Sequence, residues 1–335
     1  MRTTALTVNR IRRLLAASMI TLSTGMIGMS AHAQGPANWP DGPVTFVVPF
    51  SPGGGGDTLA RLYGRELTKT LATTVIVENR PGAGGNVGTA AVANAKPDGN
   101  TFVFGTNGTM GTNHALYKNP GFTIDSFEPV AMFGKTGLAL VVGNNSPFKT
   151  VADLISYGKK NPGKLTCASG GNGTASHVAC VMLQQMAGIQ VEHIPYKGSS
   201  TAVIDLKTDR ISFFIDVMPP LMPHIRQNTL RALSVTMAQR FPALPEIPTM
   251  SEAGVPGYEL FAWDGIFAPK GTPAARLDKL NAAVVAAVKD PVFSKEMADR
   301  GTTLEPMPRA EFASLVRREY VRMGGIVKSL GVTVD

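Results

Sequence analysis

The chain has 335 residues, with 32 Lys and Arg against 24 Asp and Glu, for a formal net charge of +8 at pH 7. Hydrophobic residues make up 44% and charged residues 17%, which excludes a disordered chain, and 36 glycines with 24 prolines argue against a helical bundle or coiled coil. Half of the positive excess lies in Arg2, Arg10, Arg12 and Arg13, and no Lys/Arg run with interleaved aromatics follows, so no nucleic-acid partner is expected.

Those arginines open residues 1–33, where no charge occurs from Leu14 to Ala33 and Ala31-His32-Ala33 supplies a small-x-small pattern. A secretion signal cleaved after Ala33 is expected, with an uncleaved anchor as the alternative. From Gly42 onward, short apolar runs alternate with helical spacing. Val44–Val48 is a β-branched run of the kind that forms a buried parallel strand. It runs into Pro-Phe-Ser-Pro-Gly-Gly-Gly-Gly-Asp, after which Leu59, Leu62, Tyr63 and Leu67 mark a helix over 57–71. A strand at 75–77, a small-residue helix at 87–95 and a strand at 101–105 complete a β-α-β-α-β series, which implies right-handed crossovers and an open parallel sheet.

The device recurs. A strand at 138–142, a helix from Val151, a strand at 164–169, a glycine turn at 170–173, a helix at 174–186 and strands at 191–194 and 211–217 follow in order. Residues 241–257 read as an ordered proline-rich loop. A strand at 265–268 and helices at 274–288 and 309–327 end the chain. The fold class is α/β, and 302 residues beyond the expected signal suit two domains.

Chemistry points to the two glycine turns. Gly53, Gly54 and Gly55 end a strand and open a helix, where unpaired N–H groups and the helix dipole favour an anion; the competing reading is a tight turn that needs positive φ. No GxxxxGK[ST] or GxGxxG spacing is present, so a carboxylate fits better than a nucleotide. Asp57 either caps that helix or faces a ligand. In the second turn, Ser169, Thr174 and Ser176 add hydroxyl donors around Gly171 and Asn172. Ser176 and His177 are adjacent on a helix, about 100° apart, so they do not form a nucleophile–base pair. Asp216 and Tyr196-Lys197 follow strands, at the sheet edge where ligands bind in open α/β folds; Lys197 is equally a solvated loop residue. The histidines are scattered and neither HExxH nor CxxC occurs, so no metal or other cofactor is expected. Cys167 and Cys180 form either a disulfide or two buried thiols.

In order along the chain, VVPFSPGGGGD, VENRPGAGGNVG, KPDGNT, SGGNGTASH, IPYKG, PEIPTMSEAGVPG and FAPKGTP resemble the Bug-type (TctC) receptors, the extracytoplasmic solute-binding proteins of tripartite tricarboxylate transporters. The resemblance implies a two-lobed periplasmic binding protein of the type II kind. Each lobe would be a mostly parallel sheet flanked by helices, with residues 42–139 plus 264–335 in lobe 1, 140–263 in lobe 2, and a hinge near 139–141 and 262–264. It implies a periplasmic monomer, not an enzyme, that binds a small carboxylate (dicarboxylate, tricarboxylate, acidic amino acid or aromatic acid) and passes it to membrane permease subunits or a sensor protein. By the same resemblance the loops Phe50–Asp57 and Ser169–His177 grip the carboxylate, and Asn86, Thr106, Tyr196 and Asp216 line the cleft. Gly56 departs from the family's usual side chain there, which makes the first loop depend on its backbone. The rival reading is an exported hydrolase or lyase that uses His177 or Asp216.

Overall fold

A computed structural model describes residues 39–330. The expected signal at 1–33 and its cleavage site lie outside the described residues. β1 (Val44–Val48) pairs in parallel with β2 (Val75–Asn79) and β3 (Thr101–Thr106), and α1 (Gly55–Leu71) and α2 (Asn86–Ala93) connect them. α1 forms because its apolar residues recur every three to four positions: Leu59, Tyr63 and Leu67 are buried in one core with Phe46, Phe102 and Phe133. Tyr63 stacks on Phe133 with ring centroids 3.6 Å apart. The helix stops where Ala72 turns left-handed at φ 52°.

β4 (Phe127–Gly143) is the backbone of the architecture, with 17 residues. Its first part pairs antiparallel with β9 (Phe261–Pro269) and β10 (Thr302–Leu304), and its second part with β7 (Phe213–Val217) and β8 (Leu230–Val235). The partner change falls between Gly137, opposite Phe261, and Leu138, opposite Val217. The sequence pattern predicts only the second part as a strand. Pro129, Gly134, Lys135 and Gly137 interrupt the apolar run of the first part, and the structure absorbs two of the interruptions as register shifts between Pro129 and Ala131 and between Met132 and Gly134.

β5 (Leu165–Ser169) pairs in parallel with β6 (Val191–Pro195) and β7. The full order is β2-β1-β3-β9-β4-β7-β5-β6, with β8 and β10 on β4, so parallel triplets sit at both ends of a sheet that is antiparallel in the middle. α3 (Asn113–Leu116), α4 (Val151–Lys160), α5 (Ala175–Ala187), α6 (Ser199–Lys207), α7 (Met218–Arg226), α8 (Ala274–Lys289), α9 (Pro291–Asp299) and α10 (Arg309–Leu330) cover its faces. α4 starts on a capping box in which Thr150 and Asp153 exchange side-chain and backbone hydrogen bonds. A second core, around Leu140, Leu154, Leu183, Phe213 and Tyr258, underlies β5 and α5. Among the described residues no helix is long and apolar enough to cross a membrane.

Candidate functional site

Three strand-to-helix turns converge on one cavity. α1 begins at Gly55, α5 at Ala175 and α6 at Ser199, and all three helix starts line it together with Phe50, Phe104, Trp263, Asn107, Asp216 and Asp264. The first turns of these helices present N–H groups without intrahelical acceptors, and their dipoles add to a positive potential in the cavity. A second opening, lined by Gly84, Gly171, Asn172, Tyr117, Tyr196 and Lys197, shares Phe50, Gly84 and Gly170 with the first.

The first glycine turn is held by charge. Gly53 sits at φ 75°, and its N–H donates to Asp57 Oδ2 at 2.8 Å. Asp57 also receives Asn79 Nδ2 at 2.9 Å and pairs with Arg61 at 2.9 Å. Burial raises its pKa, but the Arg61, Gly53 and Asn79 hydrogen bonds and the Arg61 charge outweigh this and leave it below the usual carboxylate range. Asp57 is therefore a first-turn acid that clasps its own loop; the N-cap position is Gly54. Neither Gly53 nor Asp57 lines the cavity. Gly54 and Gly55 do, and a Cβ on Gly55 would collide with the Val217 side chain packed against it.

The second turn is held by hydroxyls and neutral rings. Thr174 is the N-cap of α5, its Oγ1 accepting from the His177 N–H and donating to the Gly171 carbonyl at 2.7 Å. Ser176 Oγ accepts the Gly170 N–H at 2.9 Å and contacts Thr174 Oγ1 at 2.9 Å. Ser169 Oγ accepts the Gly171 N–H and shares a 2.6 Å hydrogen bond with His193 Nε2. His177 Nδ1 accepts the Gly173 N–H at 3.1 Å, and its ring stacks on His193 at 4.1 Å. Burial pulls the His177 pKa down to about 4; burial and the neighbouring His177 pull His193 down to about 3. Cys167 on β5 and Cys180 on α5 are disulfide-bonded, with Cα atoms 6.2 Å apart, so the strand and the helix flanking the turn are tied together.

Of the residues singled out from sequence, Phe50, Gly54, Gly55, Thr106, Thr174, Ser176 and Asp216 line the inner cavity, and Gly171, Asn172 and Tyr196 line the outer opening. Tyr196 donates to Asp205 at 2.8 Å, and burial together with that carboxylate raises its pKa to about 12. Ser169 and His177 stand behind the second turn. Asn86 stands behind the Gly82–Gly85 turn, its Oδ1 accepting from Asn113, which also donates to the Gly84 carbonyl. Sequence reasoning missed Asn107, Ser199, Trp263 and Asp264. The signal for Asp264 was present: a single acid inside the otherwise apolar run Phe-Ala-Trp-Asp-Gly-Ile-Phe-Ala-Pro. Among the described residues no group of three or more His, Cys, Asp or Glu side chains comes together as a metal-ligand set.

The cavity lies between two strand–glycine–helix units, and the chain is similar to known proteins over most of its length. The family model described as the tripartite tricarboxylate transporter family receptor matches residues 59–332. BugT of Bordetella pertussis is 32% identical over 95% of this chain and 98% of its own length. Among solved structures, Rpa4515 of R. palustris, determined with adipate, is 33% identical with a TM-score of 0.86 over 88% of this chain and 99% of that one. MatC from Rhodopseudomonas palustris, with bound malate, is 33% identical with a TM-score of 0.81 over 86% and 100%. Sharing both this architecture and the length of the match, the chain belongs to the TctC family of tripartite tricarboxylate transporter receptors, the Bug-type periplasmic solute-binding proteins.

Proposed function

We propose that this chain is a periplasmic receptor that captures a small carboxylate between its two halves and does no chemistry on it. The observation that carries this reading is the convergence of three helix starts on one cavity, two of them carrying the glycine turns. A carboxylate there exchanges water for N–H and hydroxyl donors in a medium of low dielectric, where charge-assisted hydrogen bonds are strong. The hinge runs through β4 and β9 near 139–141 and 262–264, close to where β4 changes partners. The protein acts as a monomer and passes its ligand to the permease subunits of a tripartite transporter or to a sensor. The adipate and malate found with its structural relatives support a carboxylate as ligand. Against the hydrolase or lyase reading, Ser176 and His177 are not hydrogen-bonded to each other: the serine oxygen takes the Gly170 N–H and the imidazole takes the Gly173 N–H.

A thermal-shift screen of mono-, di- and tricarboxylates tests the proposal. A true ligand at a hundredfold excess over its Kd adds about 2.7 kcal/mol of stability. Turnover of the bound acid, or no shift with any carboxylate, overturns the reading.

A further inference from the structure

The two ends of the sheet touch where the inner cavity joins the outer opening. On one side stand the Gly82–Gly85 turn and α3 with Tyr117, next to the parallel strands β1, β2 and β3; on the other stands the second glycine turn, at the end of β5. A Cβ on Gly84 would collide with the Asn172 carbonyl oxygen, and one on Gly173 with Asn113 Oδ1. Both glycines have left-handed φ, 62° and 82°, so neither position suits a side chain. Tyr117 donates its hydroxyl across the contact to the same Asn172 carbonyl at 3.3 Å, and burial raises its pKa, which keeps the donor protonated. Asn113 is anchored on its own side, its Nδ2 donating to Asn86 Oδ1 at 2.6 Å and to the Gly84 carbonyl at 3.1 Å. Its Oδ1 is buried without an N–H or O–H partner and faces the Gly173 Cα across the contact. A second contact, Gly53 and Gly54 against Ser199 and Ser200, is looser: a Cβ on Gly53 would stand 3.6 Å from Ser200 Cβ, and one on Gly54 3.7 Å from the Ser199 nitrogen.

We propose that Tyr117 and Asn113 are positioning residues for capture: with Gly84 and Gly173 they form a latch between the two ends of the sheet, and the latch sets how long a ligand stays in the inner cavity. This rests on the carboxylate-receptor reading and adds which residues hold the cleft shut. Gly84 and Gly170 line both the inner cavity and the outer opening, so a ligand passes between the two spaces at the latch. The contact at Gly53 and Gly54 supplies packing, whereas the latch adds a directed hydrogen bond to backbone brought close by glycine. Asn113 lines neither space and Tyr117 lines only the outer one, so their effect on a ligand in the inner cavity runs through the contact they make. One neutral hydrogen bond with a few weak Cα–H contacts is strong enough to bias two arrangements and weak enough to let them exchange.

Spin labels on Val87→Cys in α2 and Gln185→Cys in α5, both exposed and on opposite sides of the latch, report its opening through their separation by pulsed electron resonance. The native cysteines are bonded to each other and take no label. Samples are measured alone and with adipate or malate as probes. The parent is expected to show the short separation of this structure in at least one sample. In that sample Tyr117→Phe should lower the ratio of short to long separations about fivefold, as loss of one neutral hydrogen bond implies, and Gly84→Ala should abolish the short one. Each acid that binds the parent should dissociate about fivefold faster from Tyr117→Phe. A parent with no short separation in any sample, or a ratio unaltered in Tyr117→Phe, overturns the latch, whether or not the strained Gly84→Ala variant folds. If neither acid binds the parent, the receptor reading fails for them, while the separations still decide the latch.

Discussion

The two glycine turns share a plan but differ in what holds them. The first is clasped by an ionised group: Asp57 draws in the Gly53 N–H, Asn79 and Arg61. The second has no formal charge in its frame and depends on Thr174, Ser176, Ser169, two neutral imidazoles and a disulfide. The helix starts are common to both, while the scaffolding behind each is built from different chemistry. It also gives the two turns different responses to pH, reduction and substitution.

The largest effect should come from filling the space between the turns. Gly55→Ala requires no left-handed φ, but its methyl collides with the Val217 side chain, which packs directly against Gly55 at the cavity wall. Binding should fall by about a hundredfold or more, roughly 2.7 kcal/mol, and the melting temperature should fall as well, because Val217 has to shift to admit the methyl. Unchanged affinity by calorimetry would break the picture of a cavity closed by Gly55 and Val217. Next, Cys180→Ser should cost about 3 kcal/mol by chain entropy for a loop whose ends are 13 residues apart, measured by urea unfolding with and without reductant. Reductant should destabilise only the parent.

Asp57→Asn should cost about 1–3 kcal/mol, because Arg61 keeps its charge and the Gly53 N–H loses its ionised acceptor. The smallest and most discriminating effect is the pH response. His177 and His193 have folded pKa values near 4 and 3, below the ordinary histidine value of 6.5, so the unfolded chain takes up protons first as pH falls. Stability held by the second turn is therefore lost as pH drops from about 6.5 toward 4. Asp57 has a lowered pKa, so its contribution is present above the ordinary aspartate value of 3.8 and disappears only as pH falls further. Amide exchange at pH 7, 5 and 3.5 should show the 169–177 segment loosening before the 50–57 segment; the reverse order would refute this assignment of the two scaffolds.

Much of this was legible in the residues. Val44–Val48 and Thr101–Thr106 are largely buried strands whose apolar residues are Val44, Phe46, Val47 and Val48 in one and Phe102, Val103 and Phe104 in the other, and both glycine turns fall at strand-to-helix junctions as their composition requires. α6 and α7 were not legible: Ser-Ser-Thr-Ala-Val-Ile-Asp-Leu-Lys has weak helical spacing, and Met-Pro-Pro-Leu-Met-Pro-His-Ile-Arg carries a proline inside the helix. The same holds for the first part of β4, whose pairing with β9 is set by residues more than a hundred positions away.

By itself, then, the sequence determined the local units, because strand, turn and helix start are encoded within about ten neighbouring residues by apolar period and by glycine's freedom at φ values such as 129° in Gly171. It also placed two cysteines where a strand and its following helix could be tied. Which groups face one another was decided only by the tertiary structure. Asp216 and Asp264 are 48 positions apart on strands that pair with different parts of β4, Gly134 opposite Asp264 and Ala139 opposite Asp216. They share a cavity because the sheet brings their strands to it, and a local pattern carries no record of such distant pairing.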